Sequence, residues 1–148
     1  MASDPSVVYW DASAIVSALF KDSHSPMALK WTEIEGVHLM STLSWAEVCA
    51  VISRMKAEDI ISKKSERDVF NALYQGPWRR MSGVPAWDTT RDLCGKWSLR
   101  GADLWHLAAA KTLQNDLPEL MLLTFDAKLK RAARGEGLSP GMYKASEP

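Results

Sequence analysis

Residues 7–14 read VVYWDASA and decide the fold of this chain. Four residues suited to a buried strand run directly into Asp11, and a second apolar segment begins at Ser13. A short apolar run followed by a segment of helical spacing predicts a strand at 7–10 and a helix at 13–20. Asp11 therefore lies where the strand gives way to the helix, a position at which Asp commonly caps a helix.

The rest of the chain continues this alternation of strand and helix. Strands are predicted at 37–42, early in 83–97 and at 120–125, and helices at 25–34, 43–58, 65–75, 102–113 and 127–137, with Asp88 capping one more within 83–97. This pattern predicts an α/β fold with a mainly parallel central sheet flanked by helices. The 148 residues suffice for a single domain, with a core at about 7–134 and a tail at 138–148.

Composition excludes several classes of protein. The chain has 18 basic and 18 acidic residues and a formal net charge of zero, so its total charge gives no reason to expect nucleic-acid binding. Its two cysteines, Cys49 and Cys94, are too few for a disulfide framework and have no metal-binding spacing. The N-terminus lacks a signal-peptide pattern and no apolar run is long enough to span a membrane. We therefore expect a soluble, cytoplasmic protein with no membrane association.

Four acidic residues are predicted to lie at the beginnings of helices: Asp11, Glu47, Asp103 and Asp126. Each has a structural explanation when taken alone, because Asp is a preferred N-cap and Ser44 with Glu47 has capping-box spacing. Helices that follow parallel strands begin at the carboxyl edge of the sheet, where ligands bind in open α/β folds. The four carboxylates could therefore converge on one site.

A cluster of carboxylates requires a positive charge, because like charges raise one another's pKa values and repel. Hard oxygen ligands suit Mg²⁺ or Mn²⁺, and the His and Cys residues lack zinc spacing. Such an ion would lower the pKa of a bound water and polarise a phosphoryl oxygen during phosphodiester hydrolysis. The acids thus predict a Mg²⁺ or Mn²⁺ site with hydrolytic chemistry.

Four segments, in order, resemble the motifs of PIN-domain ribonucleases. The first is an apolar strand that ends in Asp and is followed by a short polar residue, here Ser13; the second is centred on Glu47; the third contains Asp103; and the fourth contains Thr124 and Asp126. These segments are VVYWDASAI (7–15), LSWAEVCAVI (43–52), LRGADLWHLAAA (99–110) and LLTFDAKLKRAA (122–133). Each motif is short, but their order and spacing over a whole domain make the resemblance specific.

The resemblance runs from residue 7 to about residue 134 and is greatest to the VapC-like toxins of toxin–antitoxin pairs. It implies a metal-dependent endoribonuclease that cuts RNA, often tRNA or rRNA, as a homodimer neutralised by an antitoxin protein. It also implies that Asp11, Glu47, Asp103 and Asp126 form the catalytic metal site. Ser13 and Thr124 would support this site by hydrogen bonding, although Ser13 could equally cap its own helix.

Basic and aromatic residues near these motifs are candidates for contacts with RNA. The basic ones are Arg100, Lys128, Lys130 and Arg131, which could hold phosphates, although an ion pair for Arg100 and solvated helix faces for the others are equally ordinary. Trp78 and Trp87 lie in predicted loops and are candidates for exposed RNA or partner contacts, whereas we expect Trp10 and Trp105 to be buried. His106 could act as a general acid or base, but a packing role is more common.

Three alternatives accompany the ribonuclease hypothesis. A non-catalytic PIN-like module that binds RNA or a partner typically lacks one of the acids, and none is missing here. A response-regulator receiver requires an acidic pair after its first strand and a Lys after its last, which this sequence lacks. The third alternative is that the acids are only helix caps of a structural or interaction domain.

Overall fold

A four-stranded parallel sheet forms the centre of the protein in the computed structural model, which describes residues 6–139. The order of the strands across the sheet is β3-β2-β1-β4, and every neighbouring pair is parallel. The strands are β1 (Ser6–Trp10), β2 (Gly36–Ser41), β3 (Trp78–Met81) and β4 (Leu120–Leu123). The predicted α/β architecture with a parallel sheet is confirmed.

Seven helices flank the sheet in the described residues, and those predicted at 13–20, 25–34, 43–58, 65–75, 102–113 and 127–137 are present within two residues of their predicted bounds. They are α1 (Ala12–Leu19), α2 (Ser25–Thr32), α3 (Thr42–Ala57), α4 (Lys63–Gln75), α5 (Trp87–Lys96), α6 (Gly101–Gln114) and α7 (Ala127–Gly135). No helix among residues 6–139 has the length and apolar character needed to cross a membrane.

Strand β1 divides the core into two parts, because its side chains alternate between the two faces of the sheet. Val7 and Tyr9 pack into one cluster with apolar residues of α5, α6 and α7. Val8 and Trp10 pack into the other, with residues of α1, α2, α3 and α4. A strand that is covered on both faces needs apolar residues at every position, which explains the continuous run that ends at Trp10.

The register of the sheet brings three polar residues to one edge. Trp10 lies opposite Met40 on one side and Leu123 on the other, near the carboxyl end of each strand. The residues that follow in the chain, Asp11, Ser41 and Thr124, are therefore at the same height on adjacent strands. All three are buried, at 1–3% exposure.

The edge strand β3 corrects the prediction for 76–97. Residues 82–86 form no strand, and Ala86, not Asp88, is the N-cap of α5. The strand lies earlier, at Trp78–Met81, where a Gly-Pro pair and two arginines had favoured a loop. Trp78, a candidate for exposed contacts in the sequence, is half-buried, and its ring packs edge-on against Trp10 with centroids 5.4 Å apart.

Three boundary predictions were also wrong. Ser41, not Ser44, caps α3 by accepting a hydrogen bond from the Ser44 amide, so Glu47 is the sixth residue of the helix rather than the third. The strand predicted at 120–125 ends at Leu123. Leu138 was assigned to the tail but is fully buried, and its carbonyl accepts from the Leu122 amide at the free edge of β4. Residues 140–148 of the predicted tail lie outside the described residues.

Candidate active site

Asp11 is the most deeply buried of the four acids, with 3% of its surface exposed. It is the N-cap of α1, and its Oδ1 accepts hydrogen bonds from the Ala14 amide (2.9 Å) and the Ser13 hydroxyl (2.7 Å). Its Oδ2 accepts a short bond from the Thr124 hydroxyl. The carboxylate therefore both caps the helix, as the sequence predicted, and is hydrogen-bonded to the residue that follows the adjacent strand β4.

Ser13 and Thr124 connect the first and fourth motifs. The Ser13 hydroxyl oxygen accepts a bond from the Phe125 amide (3.2 Å), and the Thr124 hydroxyl oxygen accepts one from the Asp126 amide (3.1 Å). The two hydroxyl oxygens lie 3.4 Å apart. These bonds fix the turn between β4 and α7, so the position of Asp126 depends on the same residues that hold Asp11.

Asp103 and Asp126 line an open cavity of about 520 Å³ at the carboxyl edge of the sheet. Asp126 is exposed and caps α7 by accepting from the Leu129 amide at 2.9 Å. Asp103 is half-buried in the first turn of α6. Arg100 and Lys128 also line this cavity, so both signs of charge are present in it.

Glu47 approaches from α3 and is held by a histidine. Its Oε1 lies 2.6 Å from Nε2 of His106, and its side chain is 35% exposed. His106 itself is buried, and its Nδ1 lies 2.7 Å from the hydroxyl of Tyr9. Burial confirms the predicted packing position of His106, but its two hydrogen bonds make it part of the site as well.

The electrostatics of the carboxylates indicate a shared environment. Burial raises the pKa of Asp103 above its ordinary value, and the neighbouring charges of Asp126 and Glu47 raise this pKa further. Burial also raises the pKa of Asp11, against the opposing effect of its hydrogen bonds to Thr124, Ala14 and Ser13. Both carboxylates would therefore be stabilised in their charged form by an added cation.

The donor set suits a hydrated, hard divalent ion better than a fully protein-ligated one. Within residues 6–139, no three His, Cys, Asp or Glu side chains are arranged to ligate a single ion together. Mg²⁺ typically takes only one or two direct carboxylates and keeps several waters. The open cavity beside Asp103 and Asp126 provides room for such waters, and every candidate ligand is an oxygen.

The predicted basic residues do not all lie at this cavity. Arg100 and Lys128 line it, and Arg131 lines an adjoining cavity of about 170 Å³ together with Lys128. Lys130 lies on the other side of α7, beside a separate cavity lined mainly by apolar residues. The helix itself explains this separation, because residues two positions apart in a helix point in different directions.

The model of the PIN domain matches residues 8–135 of this sequence. The chain belongs to the PIN-domain family. The matched residues include all four acids, together with Ser13 and Thr124. No curated protein sequence matches the chain.

Several solved structures share the fold at low sequence identity. The VapC20 toxin of Mycobacterium tuberculosis, described as cleaving the sarcin–ricin loop, has a TM-score of 0.58 and 12% identity over 84% of this chain and 94% of its own. The FitAcB structure from Neisseria gonorrhoeae has a TM-score of 0.60 and 15% identity, covering 86% and 94%. VapBC2 from Rickettsia felis, bound to a promoter DNA fragment, has a TM-score of 0.56 and 14% identity, covering 85% and 92%.

Sequence reasoning missed the polar residues beneath this PIN-domain site. Tyr9 was assigned only to a buried strand, yet its hydroxyl contacts both His106 and Ser41. The presence of Tyr9 in a strand predicted to be buried was the available signal, since a buried Tyr hydroxyl normally has a hydrogen-bond partner. Of the tryptophans, Trp10 is buried as predicted, Trp105 is partly buried, and Trp87 is 92% exposed.

Proposed function

We propose that this PIN-domain protein is a metal-dependent endoribonuclease that hydrolyses RNA phosphodiester bonds. The observation that carries this proposal is the placement of Asp11, Glu47, Asp103 and Asp126 at one edge of the sheet, beside a cavity that also has Arg100 and Lys128 in its lining. Acids alone would repel a phosphate. Acids that hold a divalent ion, flanked by cations, can bind and cleave one.

Mg²⁺ or Mn²⁺ would be held by the four carboxylates, directly or through its waters, and would supply a nucleophilic water and charge neutralisation. Asp11 is fixed by Thr124 and Ser13, so it presents its charge in one orientation. Arg100 and Lys128 would bind the phosphates next to the cleaved bond through their positive charges. Asp126 is oriented by its bond to the first turn of α7.

We further propose that the protein is the toxin of a toxin–antitoxin pair in the cytoplasm, acts as a homodimer on tRNA or rRNA, and is neutralised by an antitoxin protein. The four motifs that resemble VapC-like toxins support this, as does the fold shared with VapC20 and with VapBC2. Each of those structures covers more than 80% of this chain.

The test is an endonuclease assay with purified protein on tRNA and on a sarcin–ricin-loop oligonucleotide. Internal cleavage is expected with Mg²⁺ or Mn²⁺ and not with EDTA. The matched control is Asp103→Asn, which keeps the size of the side chain but removes its charge, and should lower the rate on the order of 100-fold or more. Metal should also raise the Tm of the wild-type protein, because it binds only the folded state. Equal cleavage by folded Asp103→Asn protein would refute the proposal.

A further inference from the structure

Glu47 is the one acid of the four whose carboxylate is held by another ionisable side chain in the described residues. His106 Nε2 lies 2.6 Å from Glu47 Oε1, and only 2% of the His106 side chain is exposed. A single oxygen of the carboxylate is engaged in this way. The other oxygen, on a side chain that is 35% exposed, is left for a ligand.

On the side away from Glu47, the orientation of the His106 ring is fixed by a buried series of hydroxyl groups. Its Nδ1 lies 2.7 Å from the Tyr9 hydroxyl, which donates to Ser41 Oγ at 2.9 Å. The Ser41 hydroxyl donates to Ser44 (3.2 Å), and the Ser44 hydroxyl donates to the carbonyl of Trp10 (3.0 Å). The series therefore begins at Glu47 and ends on the residue that precedes Asp11.

Burying such a series of polar groups in a core costs more free energy than burying apolar side chains. Tyr9, Ser41 and Ser44 are each 0–1% exposed, and buried polar groups lose solvation that their mutual bonds only recover. Apolar side chains of similar size could occupy these positions if packing were their only purpose. A fully bonded network instead gives a fixed orientation to the group at its end, which here is the Glu47 carboxylate.

We propose that His106, braced by Tyr9, is a positioning residue that holds the Glu47 carboxylate in the orientation needed to bind the divalent ion. The inference rests on the proposed function for the identity of the ion. Glu has three side-chain torsions, and an unrestrained carboxylate on the second turn of α3 would sample many directions away from Asp103. Contacts of this kind to a metal ligand typically change metal affinity about 10–100-fold when they are removed.

Two substitutions separate positioning from packing. In His106→Gln the side-chain amide reaches the place of Nε2 and can still donate to Glu47, whereas in His106→Asn it reaches the place of Nδ1 and contacts only Tyr9. Both replace the ring by a similar amide, so each should cost a similar amount of stability. We expect His106→Asn to weaken Mn²⁺ binding by about 10-fold or more, and His106→Gln to retain most of the affinity.

Mn²⁺ affinity should be measured by isothermal titration calorimetry without RNA, with Tm measured on the same samples. A third variant, Glu47→Ala, tests whether His106 acts through Glu47. If it does, adding His106→Asn to Glu47→Ala should weaken Mn²⁺ binding no further. The inference would be overturned if wild-type protein and both His106 variants bound Mn²⁺ with equal affinity. It would also be overturned if the two variants lost equal amounts of Mn²⁺ affinity in parallel with their decrease in Tm. A wild-type protein that binds Mn²⁺ but cleaves no RNA would refute the proposed function and leave this inference standing.

Discussion

The candidate active site has two halves that hold their carboxylates in opposite ways. In the buried half, Asp11 is 3% exposed and is bound by Ser13, Thr124 and the amide of Ala14. In the open half, Asp103 and Asp126 face a cavity of about 520 Å³. The buried half fixes the orientation of the Asp11 carboxylate, at the cost of removing it from water. The open half leaves space for water and substrate.

This difference separates the two requirements of a hydrated metal site. In the proposed metal site a rigid Asp11 would give the ion a defined position, while ligands that act through water would need only to carry charge nearby. The cations follow the same division, since Arg100 and Lys128 lie in the open half, where a phosphate can reach them. Each half can therefore be disrupted with a different expected result.

The largest effect is expected from Asp11→Asn in the buried half. Cleavage should fall on the order of 100-fold or more because a charged ligand is lost. In metal-free protein the same change should raise stability at pH 7, because it removes a charge whose burial raises the pKa of Asp11.

The sign of this gain follows from the raised pKa of Asp11 in the folded protein. The folded state holds its proton to higher pH than the unfolded state, so wild-type stability falls as pH rises above about 3.9, the usual Asp pKa. The advantage of Asp11→Asn should therefore be full above the folded pKa and disappear at lower pH. Urea unfolding in EDTA at several pH values measures it. A variant that is less stable than wild type at pH 7 would contradict the raised pKa.

Thr124→Val should mainly weaken the link between the two halves. It removes the hydroxyl that donates to Asp11 and accepts from the Asp126 amide, and a bond to a charged group contributes about 1.5–3 kcal/mol. Thr124→Ser is the matched control, because it keeps the hydroxyl and loses only a methyl group. The two variants should differ by most of this amount in urea unfolding. Equal stabilities would mean that the hydroxyl contributes nothing to the fold.

The smallest effect is expected from Lys128→Ala in the open half. Lys128 lines the cavity beside Asp126, so its loss should weaken RNA binding modestly and reduce the slope of log affinity against log salt by about 1. Lys130→Ala serves as the control, because Lys130 lies on the other side of α7. Binding to a catalytically inactive Asp103→Asn protein at several salt concentrations measures both. An equal slope change in the two variants would contradict the proposal that Lys128 contacts RNA at this cavity.

The predictions from sequence were most accurate where local chemistry and tertiary packing favour the same structure. The continuous apolar run before Asp11 and the helix-capping position of Asp126 both follow from short segments, and both are present. Strand β3 was missed because Trp78–Met81 is a short edge strand with two arginines, and its pairing with β2 is a tertiary property. The helix register of Glu47 was displaced because two serines, Ser41 and Ser44, compete for one cap.

The contacts between distant motifs could not be predicted at all from spacing. His106 and Glu47 are 59 residues apart, and Tyr9 and His106 are 97 apart. Each sits in a segment that has a sufficient local explanation, so nothing in the sequence demands the contact. Only the packing of α3 and α6 around the end of β1 brings these side chains together.

Strand β1 pairs with β4, and this long-range pairing has a consequence for the synthesis of the protein. Trp10 lies opposite Leu123, and Asp11 accepts a hydrogen bond from Thr124. More than a hundred residues must therefore be translated after β1 before its partner strand β4 has been synthesised. Pairings of such large sequence separation form late during folding. A nascent chain would therefore emerge from the ribosome with its acidic site incomplete, and nearly the whole domain must be outside the exit tunnel before the four acids can meet.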